Sequence, residues 1–186
     1  LAVGAPSATI FPAVVSGYAR IYDWNGTTWV QRGADILGQA IGDACGTGIS
    51  LNAAGNIVAI GSGLSDAGNG ASSFTGHVRV FEWNGTVWVQ LGSDINGVGS
   101  GDSAGYQISL DDDGNTLTIA SGGNDNANGQ NAGHVRVFEW NGTAWTLKGN
   151  EVLGLNGGEN AGAGVALSGN GDVLVVGAHT NGTNGG

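Results

Sequence analysis

Basic residues are almost missing from this chain: five Lys plus Arg face fifteen Asp plus Glu in 186 residues, a formal net charge of −10. Such a surface repels phosphate backbones and anionic headgroups, so neither nucleic acid nor an anionic membrane is an expected partner. Methionine is absent, proline occurs twice and cysteine once. With Cys45 alone, no internal disulfide can form. No apolar run approaches the roughly 20 residues that span a bilayer, so no membrane insertion is expected. Helical spacing of apolar residues is missing too. What is abundant is glycine, 38 residues, joined by Asn, Ser and Thr. There is no Gly-X-Y period, which excludes collagen. Val, Ile, Leu and Trp return regularly between the glycines, which opposes disorder.

That return is a tandem repeat. Gly-His-Val-Arg-Val-Phe-Glu-Trp-Asn-Gly-Thr occurs unchanged at Gly76 to Thr86 and at Gly133 to Thr143, with a looser copy at Gly17 to Thr27. Repeats of this length build a fold by stacking copies, each unable to bury its apolar face alone. Cys45 falls at a repeat position filled elsewhere by Ala104 and Ala161, a small packing site rather than a reactive thiol.

Each unit contains four short segments rich in β-branched and aromatic residues and bounded by glycine, the pattern of strands. In the second complete copy they are Gly105 to Leu110, Leu117 to Ser121, the His-Val-Arg-Val-Phe-Glu-Trp phrase, and Trp145 to Gly149. Asn-Gly between segments three and four predicts a two-residue type I′ hairpin, with positive φ at both positions. In segment three His77, Arg79, Phe81 and Trp83 share one face, and Val78, Val80 and Glu82 the other. Bulky groups on both faces fit a sheet covered on both sides. The expectation is all-β: blades of a β-propeller, each a four-stranded antiparallel meander. Residues 1–33 carry segments two to four of one blade, 46–92 and 105–149 are full blades, and 162–186 carry segments one and two of a fourth. Closed propellers take about 4 to 8 blades. The expectation is therefore one propeller domain that is part of a larger ring, or a chain completing its ring with another copy.

Leu1-Ala2-Val3-Gly4-Ala5-Pro6 and Val175-Val176-Gly177-Ala178, with Ile60-Gly61-Ser62 in register, resemble the Gly-Ala-Pro half of an FG-GAP repeat. That repeat is the blade unit of integrin-α-like seven-bladed propellers; its Phe-Gly half has no counterpart here. The Trp-Asn-Gly-Thr-x-Trp phrase is similar to tandem repeats of large secreted and cell-surface proteins of marine microbes and algae. The resemblance implies an extracellular or cell-surface location and a calcium loop between segments one and two. Asp111, Asp113 and Asn115 would be its ligands, since calcium takes about 6 to 8 oxygens. The same run reads more readily as a solvated turn.

Other candidates each have a functional and a plainer reading. Asn25, Asn84, Asn141 and Asn181 head Asn-Gly-Thr triplets, acceptors for N-glycans in a eukaryotic secretory protein; the Asn-Gly pair also serves turn geometry. Trp88 and Trp145, with Asn124 and Asp125 in a polar loop, are candidates for stacking on and hydrogen-bonding sugars. Tryptophan pairs flanking a hairpin more often stabilise the hairpin itself. Arg20, Arg79 and Arg136 recur at mid-strand, as do Asp43, Asp102 and Glu159 before segment one and Asp35, Asp94 and Glu151 after segment four. They suggest an inter-strand ion pair that sets blade register. His77 and His134 match Tyr18, a ring with a polar tip, and no histidine cluster has zinc-site spacing. No nucleophile with a base partner can be assembled. The functional expectation is thus a non-enzymatic extracellular structural or adhesive propeller contacting other proteins or glycans, or completing itself by self-association. A lectin-like propeller and the accessory propeller of a larger secreted enzyme are the alternatives.

Overall fold

Short runs of β-branched residues bounded by glycine should pair with their sequence neighbours, because tight turns leave no room for a crossover. The computed structural model describes residues 1–10, 14–66 and 73–179 and shows that pattern, with no helix among them. The first sheet contains β1 (Ala2–Ala5), β4 (Tyr18–Trp24) and β5 (Trp29–Gln31), with β6 (Ile36–Leu37) on the same edge of β4; β2 (Thr9–Ile10) and β3 (Val14–Val15) form a small ribbon apart. A complete sheet follows: β7 (Cys45–Leu51), β8 (Ile57–Ser62), β9 (His77–Trp83), β10 (Trp88–Gln90) and β11 (Ile95–Asn96). The next repeats it as β12 (Gln107–Leu110), β13 (Thr116–Ser121), β14 (His134–Trp140), β15 (Trp145–Leu147) and β16 (Val152–Leu153). Finally β17 (Gly164–Leu167) pairs with β18 (Leu174–Gly177). Successive strands pair antiparallel, so the sheets are β-propeller blades built as meanders.

Segment four differs from expectation. It does not stop at Gly33, Gly92 or Gly149. After a break the chain returns to the other end of the same strand, with Gln90 opposite Phe81 and Ile95 opposite Val78. The outer strand of each blade is therefore two pieces joined by a Gly-x-Asp or Gly-x-Glu bulge.

The Asn-Gly tips also differ. Trp24 pairs with Trp29, leaving a four-residue loop in which only the glycine has positive φ (Gly26, +99°). Asn25 Oδ1 accepts the N–H groups of Thr27 and Thr28, each at 2.9 Å, and Asn84 and Asn141 repeat the arrangement. The side chain folds the turn, so the backbone need not adopt the type I′ geometry. Opposing rings then meet at 5.4 Å between centroids in two hairpins and 5.5 Å in the third.

Two apolar layers lie between consecutive sheets. Ala19, Ile21, Ile36, Cys45, Val58, Ile60 and Phe81 fill the first. Ile57, Ala59, Val78, Val80, Ile108, Leu117, Ile119 and Phe138 are among those filling the second. Strands β8 and β9 send alternate residues to each layer, which is why β8 is buried along its whole length; β13 is buried throughout as well. Backbones approach closely where side chains are missing: a Cβ on Gly61 would lie 1.9 Å from the Gly105 carbonyl oxygen of the next sheet.

Candidate functional site

The recurring charged residues divide into separate jobs. Arg20 pairs bidentately with Asp35, Nε to Oδ1 and Nη2 to Oδ2, both at 2.8 Å. The expected ion pair stops there. Arg79 and Arg136 are buried and instead donate Nη2 to the Leu37 and Asn96 carbonyls of the preceding sheet, at 2.6 and 2.7 Å. Each guanidinium lies over the phenyl ring two residues on, Arg79 at 5.3 Å from Phe81. A carbonyl, unlike a carboxylate, is present at the end of β6 or β11 whatever side chain stands there, so the arginine reads blade spacing through the backbone. Arg32 pairs with Asp23, and Lys148 stands 3.4 Å from Glu139. All five cationic side chains are engaged.

Asp43, Asp102 and Glu159 are loop caps. Asp43 Oδ2 accepts the N–H groups of Gln39 and Ala40 at 2.7 Å, and Asp102 Oδ2 those of Val98 and Gly99. Glu159 Oε2 takes the Leu155 N–H, and the Asn156 side-chain amide together with this bond holds its pKa below the ordinary value. The remaining oxygen distinguishes them. Asp102 Oδ1 accepts Asn124 Nδ2 at 3.0 Å, and Glu159 Oε1 accepts Asn156 Nδ2 at 2.8 Å. Beside Asp43 the Asn124 position is filled by Ser65.

Beside Asp43 opens a cleft of about 350 Å³, lined by Gln39, Asp43, Asp66, Phe74, His77 and Asp94 among others. Gln39 Nε2 donates to Asp94 Oδ2 at 2.9 Å, tying the loop of one sheet to the outer bulge of the next. His77 forms part of the wall but is buried, and desolvation, only partly opposed by Asp94, lowers its pKa and keeps it neutral at pH 7. Its Nε2 is buried without a partner, as is that of His134 in the next blade.

The other sequence candidates lie elsewhere. Asp111 Oδ1 accepts the N–H groups of Asn115 and Thr116 at 2.9 and 3.1 Å, closing the β12–β13 turn. Asn52 does the same for its hairpin, and Ser168 Oγ accepts the Val173 N–H in the last one, so this position is a turn cap with or without a carboxylate. No group of three His, Cys, Asp or Glu suited to a metal ion occurs among the described residues. Trp88 and Trp145 are half-buried and donate Nε1 to the carbonyls of Arg32 and Leu91 in the preceding sheets, at 3.0 and 3.1 Å. They are stitches between blades rather than a free sugar platform. Asn124 is buried on Asp102, and Asp125 Oδ1 accepts the Asn131 N–H. Asn25, Asn84 and Asn141 stand at exposed tips; Asn181 lies outside the described residues. The cleft residues Gln39, Asp66, His77 and Asp94 were not joined by any motif. The available signal was a departure from the repeat, Ser65 in place of Asn124.

No family model matches the sequence, and no curated protein matches it. Among solved structures the chain is similar to a periplasmic gluconolactonase of Pseudomonas aeruginosa, with a TM-score of 0.53 and 13% identity over 95% of this chain and 46% of that one. The likeness supports the β-propeller class and not the FG-GAP repeat in particular. The chain spans about half the length of that protein. The expectation of a non-enzymatic structural or adhesive module is corrected here. It rested on the tandem repeat, the acidic surface, the Asn-Gly-Thr triplets and the lack of a catalytic set legible in the sequence; a propeller of like fold is an enzyme, so repetition and fold do not argue against catalysis.

Proposed function

We propose that the Asp43 cleft is the small-molecule site of a propeller enzyme acting outside the cytoplasm on a neutral, hydroxyl-rich cyclic ester of the sugar-lactone class. The observation that carries this reading is the cleft itself, with the Asp43, Asp66 and Asp94 carboxylates and the Gln39 amide on its wall. The cleft volume is that of a site for one small ring. Gln39 and Asp94 supply amide and carboxylate groups for hydroxyls, and with every cation engaged the site has nothing to attract an anion. The periplasmic gluconolactonase of like fold supports both the compartment and the substrate class.

In this reading water adds to the lactone carbonyl while Asp43 Oδ1 takes its proton. The acyl–oxygen ring bond breaks, and the proton passes to the departing ring oxygen, giving the open hydroxy acid. Asp43→Asn is the sharp test. The amide oxygen still accepts the Gln39 and Ala40 N–H groups, but the other atom becomes a donor. Gluconolactone opening, followed by acid release, should fall about 100-fold or more with an unchanged melting temperature, while Asp102→Asn leaves the rate intact. Opening at the buffer rate by the unsubstituted chain, or an Asp43→Asn variant as active as it, overturns the reading.

A further inference from the structure

The repeat imposes its backbone conformation on every copy, and at one position the side chain does not suit it. Phe74 and Asn131 stand at the same repeat position, before the Gly-His that opens segment three. Both have positive φ, 47° and 49°. Their surroundings match as well. The Phe74 N–H donates to Asp66 Oδ1 at 3.3 Å and the Asn131 N–H to Asp125 Oδ1 at 2.8 Å. The Phe74 and Asn131 carbonyls accept the N–H groups of Ser103 and Asn160 at 2.9 and 3.0 Å. Asparagine tolerates this left-handed conformation; for a bulky side chain such as phenylalanine it is strained. The other non-glycine residues with positive φ among those described are Ala44, Ser103 and Asn160, all small or polar.

The phenyl ring does not serve the core. Phe74 belongs to neither apolar layer and is 43% exposed. It stands instead on the wall of the Asp43 cleft, with the exposed Ile41 and Leu64 beside the polar Gln39 and Asp94. A strained residue that packs nothing and lines a cleft is strain kept for a ligand.

We propose that Phe74 recognises the substrate ring. Its phenyl face stacks on the C–H face of a saturated six-membered ring, while Gln39 and Asp94 take the hydroxyls at the ring's edge. The proposal rests on the reading of the cleft as a lactone site and names what selects the substrate there. A closed sugar ring is amphipathic, with hydroxyls around its rim and hydrogens on its faces, and an aromatic side chain covers such a face. The opened hydroxy acid has no flat face to offer and brings a carboxylate among Asp43, Asp66 and Asp94. It loses the stacking and meets like charge, so the same wall that holds the lactone releases the product.

The test uses the lactam analogue of gluconolactone, a closed ring that does not hydrolyse, with affinity measured by calorimetry. Phe74→Asn installs the residue that the next repeat carries at this position. It should weaken lactam binding about 5- to 10-fold and raise the melting temperature by about 2–4 °C through relief of strain. Phe74→Trp, equally strained but still aromatic, should bind within about twofold of the unsubstituted chain. A residue with a merely structural role would not move affinity and stability in opposite directions. Unchanged lactam affinity in Phe74→Asn overturns the stacking role and leaves the lactone reading standing. A lower melting temperature in that variant overturns it too, since the ring would then be packed for stability. No lactam binding by the unsubstituted chain overturns the lactone reading and this inference with it. The Asp43→Asn rate test reads the chemistry separately, because lactam binding involves no proton transfer.

Discussion

At the scale of single residues, the buried arginines and histidines set the stability terms. Arg79 is buried with one carbonyl acceptor and a phenyl ring beneath it, so Arg79→Ala strands the Leu37 carbonyl and opens space at once. The expected cost is about 2 kcal/mol, or a melting temperature lower by about 4–8 °C for a chain of this size. Arg20→Ala, which breaks a solvent-screened pair, should cost less. Equal losses in the two variants would contradict the buried-carbonyl role. Histidine gives a pH dependence of definite sign. Burial depresses the pKa of His77 and of His134; Asp94 opposes it at the first, Glu151 and Asp102 at the second, and Arg79 and Arg136 reinforce it. The folded state therefore resists protonation that the unfolded chain accepts. Stability is full above the ordinary value of 6.5 and falls as pH drops below it. The carboxylates depressed by arginine, Asp23 and Asp35, act in the same direction but only at more acid pH. A series of melting curves should slope downward below pH 6.5, and His77→Gln/His134→Gln should flatten that upper part of the slope whatever its absolute stability.

At the scale of elements, the joint between blades rests on a glycine with positive φ under an indole pair. Gly92 and Gly149 offer a controlled comparison, at φ of +72° and +75°. Valine at either position incurs the same backbone strain. Only at Gly92 does it also collide with Trp140, which should add about 1–3 kcal/mol of destabilisation. Denaturant melts of the two variants measure the difference directly, and equal values would remove the glycine seat from the account. Much of the element level was legible. Strand identities, antiparallel order and the two-sided burial of segment three follow from alternation and from the repeated phrase. Less accessible was the second half of segment four, because Ile36-Leu37 and its counterparts are too short to carry a period and are held by contacts with β4, β9 and β14. The ion-pair expectation failed for Arg79 and Arg136 because a backbone carbonyl leaves no trace in side-chain spacing. The cleft was hidden for a related reason: its lining comes from two consecutive sheets and the loops between them, which no repeated phrase joins.

At the scale of the molecule, a stack of similar sheets behaves as a nearest-neighbour chain, so each blade is only as stable as the faces covering it. The blade of β7 to β11 has an apolar layer on both sides, and its strand β8 is buried at every residue; β13 in the following blade matches it. In contrast β17 and β18 alternate between exposed and half-buried residues, with Val175 at 61% exposure. Amide exchange should consequently be slowest in β8, β9 and β13 and fastest in β17 and β18. Uniform protection across all five sheets would mean that the blades open as one cooperative body.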